Sequence, residues 1–85
     1  MNTLIIVNIK NTSYDTWRKK FDEDSEVQSQ MMKNTVVGKV DENTAMIGTE
    51  VFNPEMVEKF MSSDEFKQME QKFGLSHKVY QLTKN

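Results

Sequence analysis

The chain contains one histidine, His77, which is the side chain best suited by type to accept or transfer a proton. The pKa of an unperturbed imidazole lies near neutrality, so this group can act as an acid, a base or a hydrogen-bond partner. The chain has no cysteine and no second histidine, so a metal site would have to recruit several carboxylates. We therefore expect no metal and treat His77 as a candidate ligand-binding residue, with an exposed or capping role as the alternative.

Three aromatic side chains, Tyr14, Trp17 and Phe21, stand at positions i, i+3 and i+7. This spacing places them on one face of a helix, where they most simply form part of the core. Aromatic side chains also line many ligand pockets, so Tyr14 and Trp17 join His77 as candidate ligand-binding residues. The chain also has seven methionines, most of them on or beside the predicted helices, which favours adaptable packing.

The strands that would position these residues are predicted from the apolar pattern. Segments rich in β-branched or alternating apolar residues, bounded by polar turn residues, are typical of strands. These segments are residues 3–10, 35–41, 44–52 and 77–83. The two central segments are separated by a short polar cluster, which favours a tight antiparallel hairpin.

Two helical regions complete the pattern. Apolar residues at helical spacing predict a first helix over residues 13–33. Residues 22–29 are almost wholly polar apart from Val27, so a bend or an early end of this helix is the alternative. A second region opens at Asn53, where Pro54 occupies the first helical position, and it ends at Gly74. Ser63 can cap a new first turn, so we expect this second region to be broken into two pieces near it. The resulting order is β-α-β-β-α-β.

This order predicts an α+β fold of the ferredoxin-like type, a single domain over residues 1–85 with both helices on one face of a four-stranded antiparallel sheet. Strand alternation then leaves apolar side chains on the other face, which no element of the chain covers. A second copy is the simplest cover, which predicts a homodimer with its sheets face to face. The residues expected at the interface are Leu4, Ile6, Asn8, Met46, Glu50 and Phe52, with Tyr80 and Leu82 beside them.

Asn8 and Glu50 are polar residues within this otherwise apolar face. If they are buried in an interface they need partners, since an unsatisfied polar group costs about 1–3 kcal/mol. They either fix the register of the two copies or line a barrel cavity that the two facing sheets enclose. We favour the first of these roles, because polar groups inside an interface can specify its register.

Three segments carry a resemblance to a known superfamily. They are Tyr14-Asp15-Thr16-Trp17-Arg18-Lys19-Lys20-Phe21, Asn53-Pro54-Glu55 with Val57-Glu58-Lys59-Phe60, and Ser63-Asp64-Glu65-Phe66-Lys67 leading to Phe73-Gly74-Leu75. On these segments the chain resembles the dimeric α+β barrel superfamily and, within it, short and mostly cyanobacterial proteins of unassigned function. The superfamily includes antibiotic-biosynthesis-type and heme-degrading monooxygenases. The resemblance implies the fold and the dimer more than any chemistry, because one fold hosts many functions.

The heme-degrading branch of this superfamily uses an Asn on the first strand with a Trp and a His on the second helix. Asn8 matches the first of these by its strand, whereas Trp17 falls on the first predicted helix and His77 at the last strand. Strand alternation turns Asn8 away from the helices. We therefore expect that no single pocket collects these three side chains, and we expect no cofactor.

Composition excludes some functions and leaves two open. The net charge of −2 and the lack of aromatic pairs on the strands argue against nucleic-acid binding. The apolar run at residues 4–7 is too short for a membrane span. It also lacks the basic leader and the small-residue cleavage site of a signal peptide, so we expect a cytoplasmic protein. The leading hypothesis is a non-catalytic homodimeric module that is structural or binds a small apolar or aromatic molecule. The alternative is a cofactor-independent monooxygenase-like enzyme acting on a small aromatic substrate.

Overall fold

The computed structural model describes residues 1–83, which form a four-stranded antiparallel sheet and four helices. The strands are β1 (Thr3–Ile9), β2 (Met32–Asp41), β3 (Thr44–Val51) and β4 (Leu75–Gln81), in the sheet order β2-β3-β1-β4. The helices are α1 (Tyr14–Glu23), α2 (Ser25–Gln28), α3 (Pro54–Met61) and α4 (Asp64–Phe73). This architecture confirms the predicted α+β class and is compatible with a ferredoxin-like βαββαβ fold.

The core lies on one face of the sheet and follows from strand alternation. Val7 of β1 pairs with Ala45 of β3, and both are fully buried beneath the helices together with Ile9 and Ile47. Trp17 of α1 completes this buried cluster. Residues between these positions point to the opposite face, because successive side chains of a strand alternate.

The first helical region is shorter than predicted. A single helix over residues 13–33 is wrong, and the alternative of an early end is confirmed: α1 ends at Glu23, α2 follows as a short helix, and β2 begins at Met32. The polar stretch after Phe21 offers no continuous apolar stripe, so a longer helix would bury little surface. Met31 and Met32 are instead buried beside the end of β3, where the Met31 carbonyl accepts a hydrogen bond from the Phe52 N–H at 3.1 Å.

The second helical region is broken where the sequence predicts a break. α3 ends at Met61, and the Ser63 hydroxyl then accepts a hydrogen bond from the Phe66 N–H at 3.2 Å, which caps α4. Gly74 ends α4 with a φ of 67°, a left-handed conformation that glycine adopts without a steric penalty. The chain enters β4 directly after this residue, so the last strand begins two residues earlier than predicted.

Replacing Ser63 by Ala should lower the free energy of unfolding by about 0.5–2 kcal/mol, because the first turn of α4 loses its side-chain cap. Urea denaturation followed by circular dichroism measures this change. Ser62→Ala is the matched control, since its hydroxyl bonds only to carbonyls in the last turn of α3 and its loss should stay within about 0.5 kcal/mol. Equal losses in the two variants would contradict the assignment of Ser63 as the cap.

Candidate functional site

A cavity of about 370 Å³ lies between the helices and the sheet. All four strands and all four helices contribute residues to it. Most of its lining is apolar, and the larger side chains include Trp17, Phe21, Phe60, Met61, Phe66 and Met69. An apolar cavity with a few polar groups is typical of sites for small molecules.

The break between α3 and α4 shapes one wall of this cavity. It brings the rings of Phe60 and Phe66, from the two separate helices, to a centroid distance of 5.2 Å. Val57 of α3 and Met69 of α4 extend the same lining. Methionine and valine flank the aromatic rings, so the wall combines rigid side chains with a flexible one.

His77 lines the cavity from β4 and is bonded to a carboxylate. Its Nδ1 atom lies 3.0 Å from Oε2 of Glu70 on α4, and its ring lies 5.3 Å from that of Phe66. Burial lowers the pKa of His77 below its usual value, and the hydrogen bond to Glu70 offsets this effect only in part. The imidazole is therefore neutral at pH 7, with its proton on Nδ1 toward the carboxylate and Nε2 as an acceptor.

The charged groups that line the cavity are acidic. Asp24 and Glu58 contribute to it, and no Lys or Arg within residues 1–83 does so. The negative charge of Asp24 is partly compensated, since the Nζ atom of Lys20 lies 3.7 Å from its Oδ1. The electrostatic environment of the cavity therefore disfavours anions.

The structure brings together two of the three residues predicted to bind a ligand. Trp17 and His77 line the same cavity. Tyr14 is not among the lining residues; its ring packs 5.8 Å from that of Trp17 and lies 5.6 Å from the Nζ atom of Lys39. Asn8 is exposed on the other face of the sheet and does not reach the cavity, in agreement with its predicted orientation.

Glu70 is the site residue that sequence reasoning missed. It stands four residues after Phe66, on the same face of α4, and its negative charge made it look like part of a solvated surface. The left-handed turn at Gly74 reverses the chain, so a residue four positions before it meets one three positions after it. The spacing Glu70, Gly74, His77 was the available signal.

The residues predicted at the dimer interface lie on or beside the open face of the sheet, opposite the helices. Ile6 is paired with Met46, whose relative exposure is 38%, and Leu4 is paired with Gly48. Tyr80 and Val36 extend this row on the two outer strands, where both are exposed. These side chains form an apolar band across the sheet, which Gly48 interrupts beside Leu4 and which Lys78 borders beside Ile6.

Three polar or exposed residues border the apolar band. Glu50 forms an ion pair with Lys33 at 3.4 Å, so it has a partner within the chain. Asn8 pairs with Thr44 and Ser76 at the other end of the face, and Phe52 is exposed just beyond β3.

Comparisons with known proteins give no relative to guide the function: a scan against known protein families finds no match, and a search of curated proteins finds no similar sequence. Within residues 1–83 no three His, Asp or Glu side chains converge as a metal site would require. In the same part of the chain, no helix combines the length and apolar character needed to cross a membrane. The function is therefore argued from the geometry of the cavity and the open face.

Acidification should destabilise the protein through His77. Because its folded-state pKa lies below the usual value near 6.5, the unfolded chain binds the proton more tightly. The stability that this neutral imidazole contributes is present above pH 6.5 and is lost as the pH falls through the lowered pKa.

The pH effect can be measured by urea unfolding of the wild type and of His77→Phe between about pH 7.5 and 5. The free energy of unfolding should fall more steeply with acidification in the wild type than in His77→Phe. The two proteins share the same Asp and Glu residues, so the difference between their curves reports on His77. Parallel curves would contradict the buried, neutral state of His77.

Proposed function

We propose that this protein is a homodimeric, non-catalytic binding module that holds a small apolar or aromatic molecule between its helices and its sheet. The cavity of about 370 Å³, lined mainly by aromatic, aliphatic and methionine side chains, is the observation that carries this proposal. A purely structural module would gain more stability from a filled core, since empty apolar volume costs free energy. The absence of cysteine fits a reducing compartment, which supports a cytoplasmic location.

Filling the cavity should weaken ligand binding. Val57→Trp places a large ring on the cavity wall and should weaken binding of N-phenyl-1-naphthylamine, an uncharged fluorescent probe, by at least about tenfold. Lys59→Trp is the matched control, because this residue is exposed on the same helix and should leave the affinity unchanged. Native mass spectrometry of the recombinant protein tests for a retained natural ligand. A wild type that binds no N-phenyl-1-naphthylamine and retains no natural ligand would contradict the proposal.

The dimer is proposed to form through the open face of the sheet. Four strands about 4.8 Å apart and about seven residues long form a face of roughly 19 by 23 Å. The area of this face is about half of the surface that each partner buries in a standard protein–protein interface. The exposed side chains of Phe52 and Leu82, just beyond the strand ends, can enlarge it. An apolar face of this kind fits a second, identical face better than the polar surface of another protein, because apolar area of both copies is then buried away from water.

A second candidate function rests on the His77–Glu70 pair. A neutral imidazole oriented by a carboxylate can act as a general base, and this one lines an aromatic cavity that also contains Trp17. This geometry favours the alternative of a cofactor-independent monooxygenase-like enzyme acting on a small aromatic substrate. Oxygen uptake that requires a bound phenolic compound and is lost in His77→Phe would establish the enzyme, whereas binding without uptake supports the module.

A further inference from the structure

We infer that the cavity selects an uncharged ligand that donates a hydrogen bond to Nε2 of His77, from a group such as a hydroxyl, and rejects carboxylates. The inference rests on the proposed function and specifies the ligand class of the same cavity. It is carried by the orientation of His77, by the free acceptor atom that this orientation leaves, and by the sign of the charges around the cavity.

The orientation of His77 is set by Glu70. A carboxylate only accepts hydrogen bonds when ionised, so the contact of 3.0 Å requires the proton on Nδ1 of the imidazole. Nε2 of the neutral ring then carries a lone pair. Phe66 packs 5.3 Å from the imidazole and helps to hold its plane. The acceptor is therefore fixed in direction before any ligand arrives.

The Nε2 atom has no hydrogen-bond partner within residues 1–83, since the side-chain hydrogen bond of His77 is made by Nδ1. In the same part of the chain, no fully buried side-chain nitrogen or oxygen is left unpaired. Nε2 must therefore remain accessible, and the neighbouring space is the cavity that His77 lines. A ligand that donates a hydrogen bond to this atom can occupy the cavity without leaving a buried acceptor unsatisfied.

The charges around the cavity oppose an anionic ligand. Asp24 and Glu58 line it, while Lys and Arg are absent from its lining within residues 1–83. A carboxylate entering this apolar volume would lose its hydration without meeting a cation. Its oxygen atoms only accept hydrogen bonds, so they could form none with the Nε2 lone pair of His77. Fatty acids and aromatic acids are thus poor ligands, whereas an alcohol or a phenol of the same shape meets a complementary group.

The test compares three probes of nearly equal shape by isothermal titration calorimetry at neutral pH: 2-naphthol, 2-methylnaphthalene and 2-naphthoate. The wild type should bind 2-naphthol about tenfold more tightly than 2-methylnaphthalene, which lacks the donor, and should bind 2-naphthoate more weakly than either. His77→Phe keeps a ring of similar size but removes the acceptor. It should bind 2-naphthol and 2-methylnaphthalene with equal affinity.

A second variant keeps the test decisive if His77→Phe does not fold. Glu70→Ala removes the group that fixes the imidazole proton on Nδ1 and should reduce the preference for 2-naphthol severalfold. Glu65→Ala, on the exposed face of the same helix, is the control and should retain the full preference.

The outcomes separate this inference from the proposed function. Equal affinity of the wild type for 2-naphthol and 2-methylnaphthalene overturns the inference and leaves a binding module. A preference for 2-naphthol that survives in His77→Phe, or in Glu70→Ala if His77→Phe does not fold, assigns the acceptor to another group and also overturns it. Tightest binding of 2-naphthoate overturns the charge argument. If the wild type binds none of the three probes, the proposed function itself fails.

Discussion

Met46→Asp should convert the proposed dimer into a folded monomer and weaken self-association by at least about 100-fold. Met46 lies on the open face of the sheet, where it pairs with Ile6, and is 38% exposed in a single chain. An aspartate at this position stays in contact with water in the monomer, so the fold should tolerate it. In a face-to-face dimer the same carboxylate would be buried without a partner, at a cost of several kcal/mol.

Sedimentation velocity across a range of micromolar concentrations measures this effect, and circular dichroism confirms that the variant is folded. Gln68→Asp, on the exposed side of α4, adds the same charge away from the sheet and should leave the dimer intact. A wild type that sediments as a monomer at these concentrations contradicts the dimer itself. A Met46→Asp protein that remains dimeric would place the interface on another surface.

The order of elements along the chain, the faces of β1 and the break before Ser63 could be predicted from the sequence because each depends on local chemistry. Val7 and Ile9 alternate with the polar residues Asn8 and Lys10, and serine followed by helix formers is a capping signal. The end of α1 was harder to predict. Val27, Met31 and Met32 have spacing that suits a helix, but tertiary packing places both methionines beside β3.

The cavity could be predicted only in part, because it depends on contacts between distant elements. Trp17 and His77 stand out by residue type alone, yet 59 positions separate them in the chain. Their common cavity lies between the helices, to which α1 belongs, and the sheet, to which β4 belongs. For Glu70 the sequence offers only its spacing from Gly74 and His77, and its role becomes evident from the 3.0 Å contact with His77.

Trp17→Ala should remove a large share of the stability of the protein. The Trp17 side chain is only 3% exposed, and its ring lies 5.1 Å from that of Phe21 and 5.8 Å from that of Tyr14. Truncating a buried aromatic residue costs about 3–5 kcal/mol, because apolar contacts are lost and the neighbouring side chains fill the space only in part. A domain of this length has a total stability of about 4–13 kcal/mol, so this loss is a large fraction of it.

Urea denaturation must be followed by far-ultraviolet circular dichroism, because Trp17 is the only tryptophan and its fluorescence disappears with the substitution. Tyr14→Ala, in the same aromatic row but half-buried and outside the cavity lining, is the control and should cost less. The result also separates the two roles that Trp17 can have. A loss below about 1 kcal/mol would show that the ring contributes little to the core. Trp17 would then act mainly as a wall against which the ligand stacks, and the affinity for N-phenyl-1-naphthylamine should fall in Trp17→Ala although the fold persists.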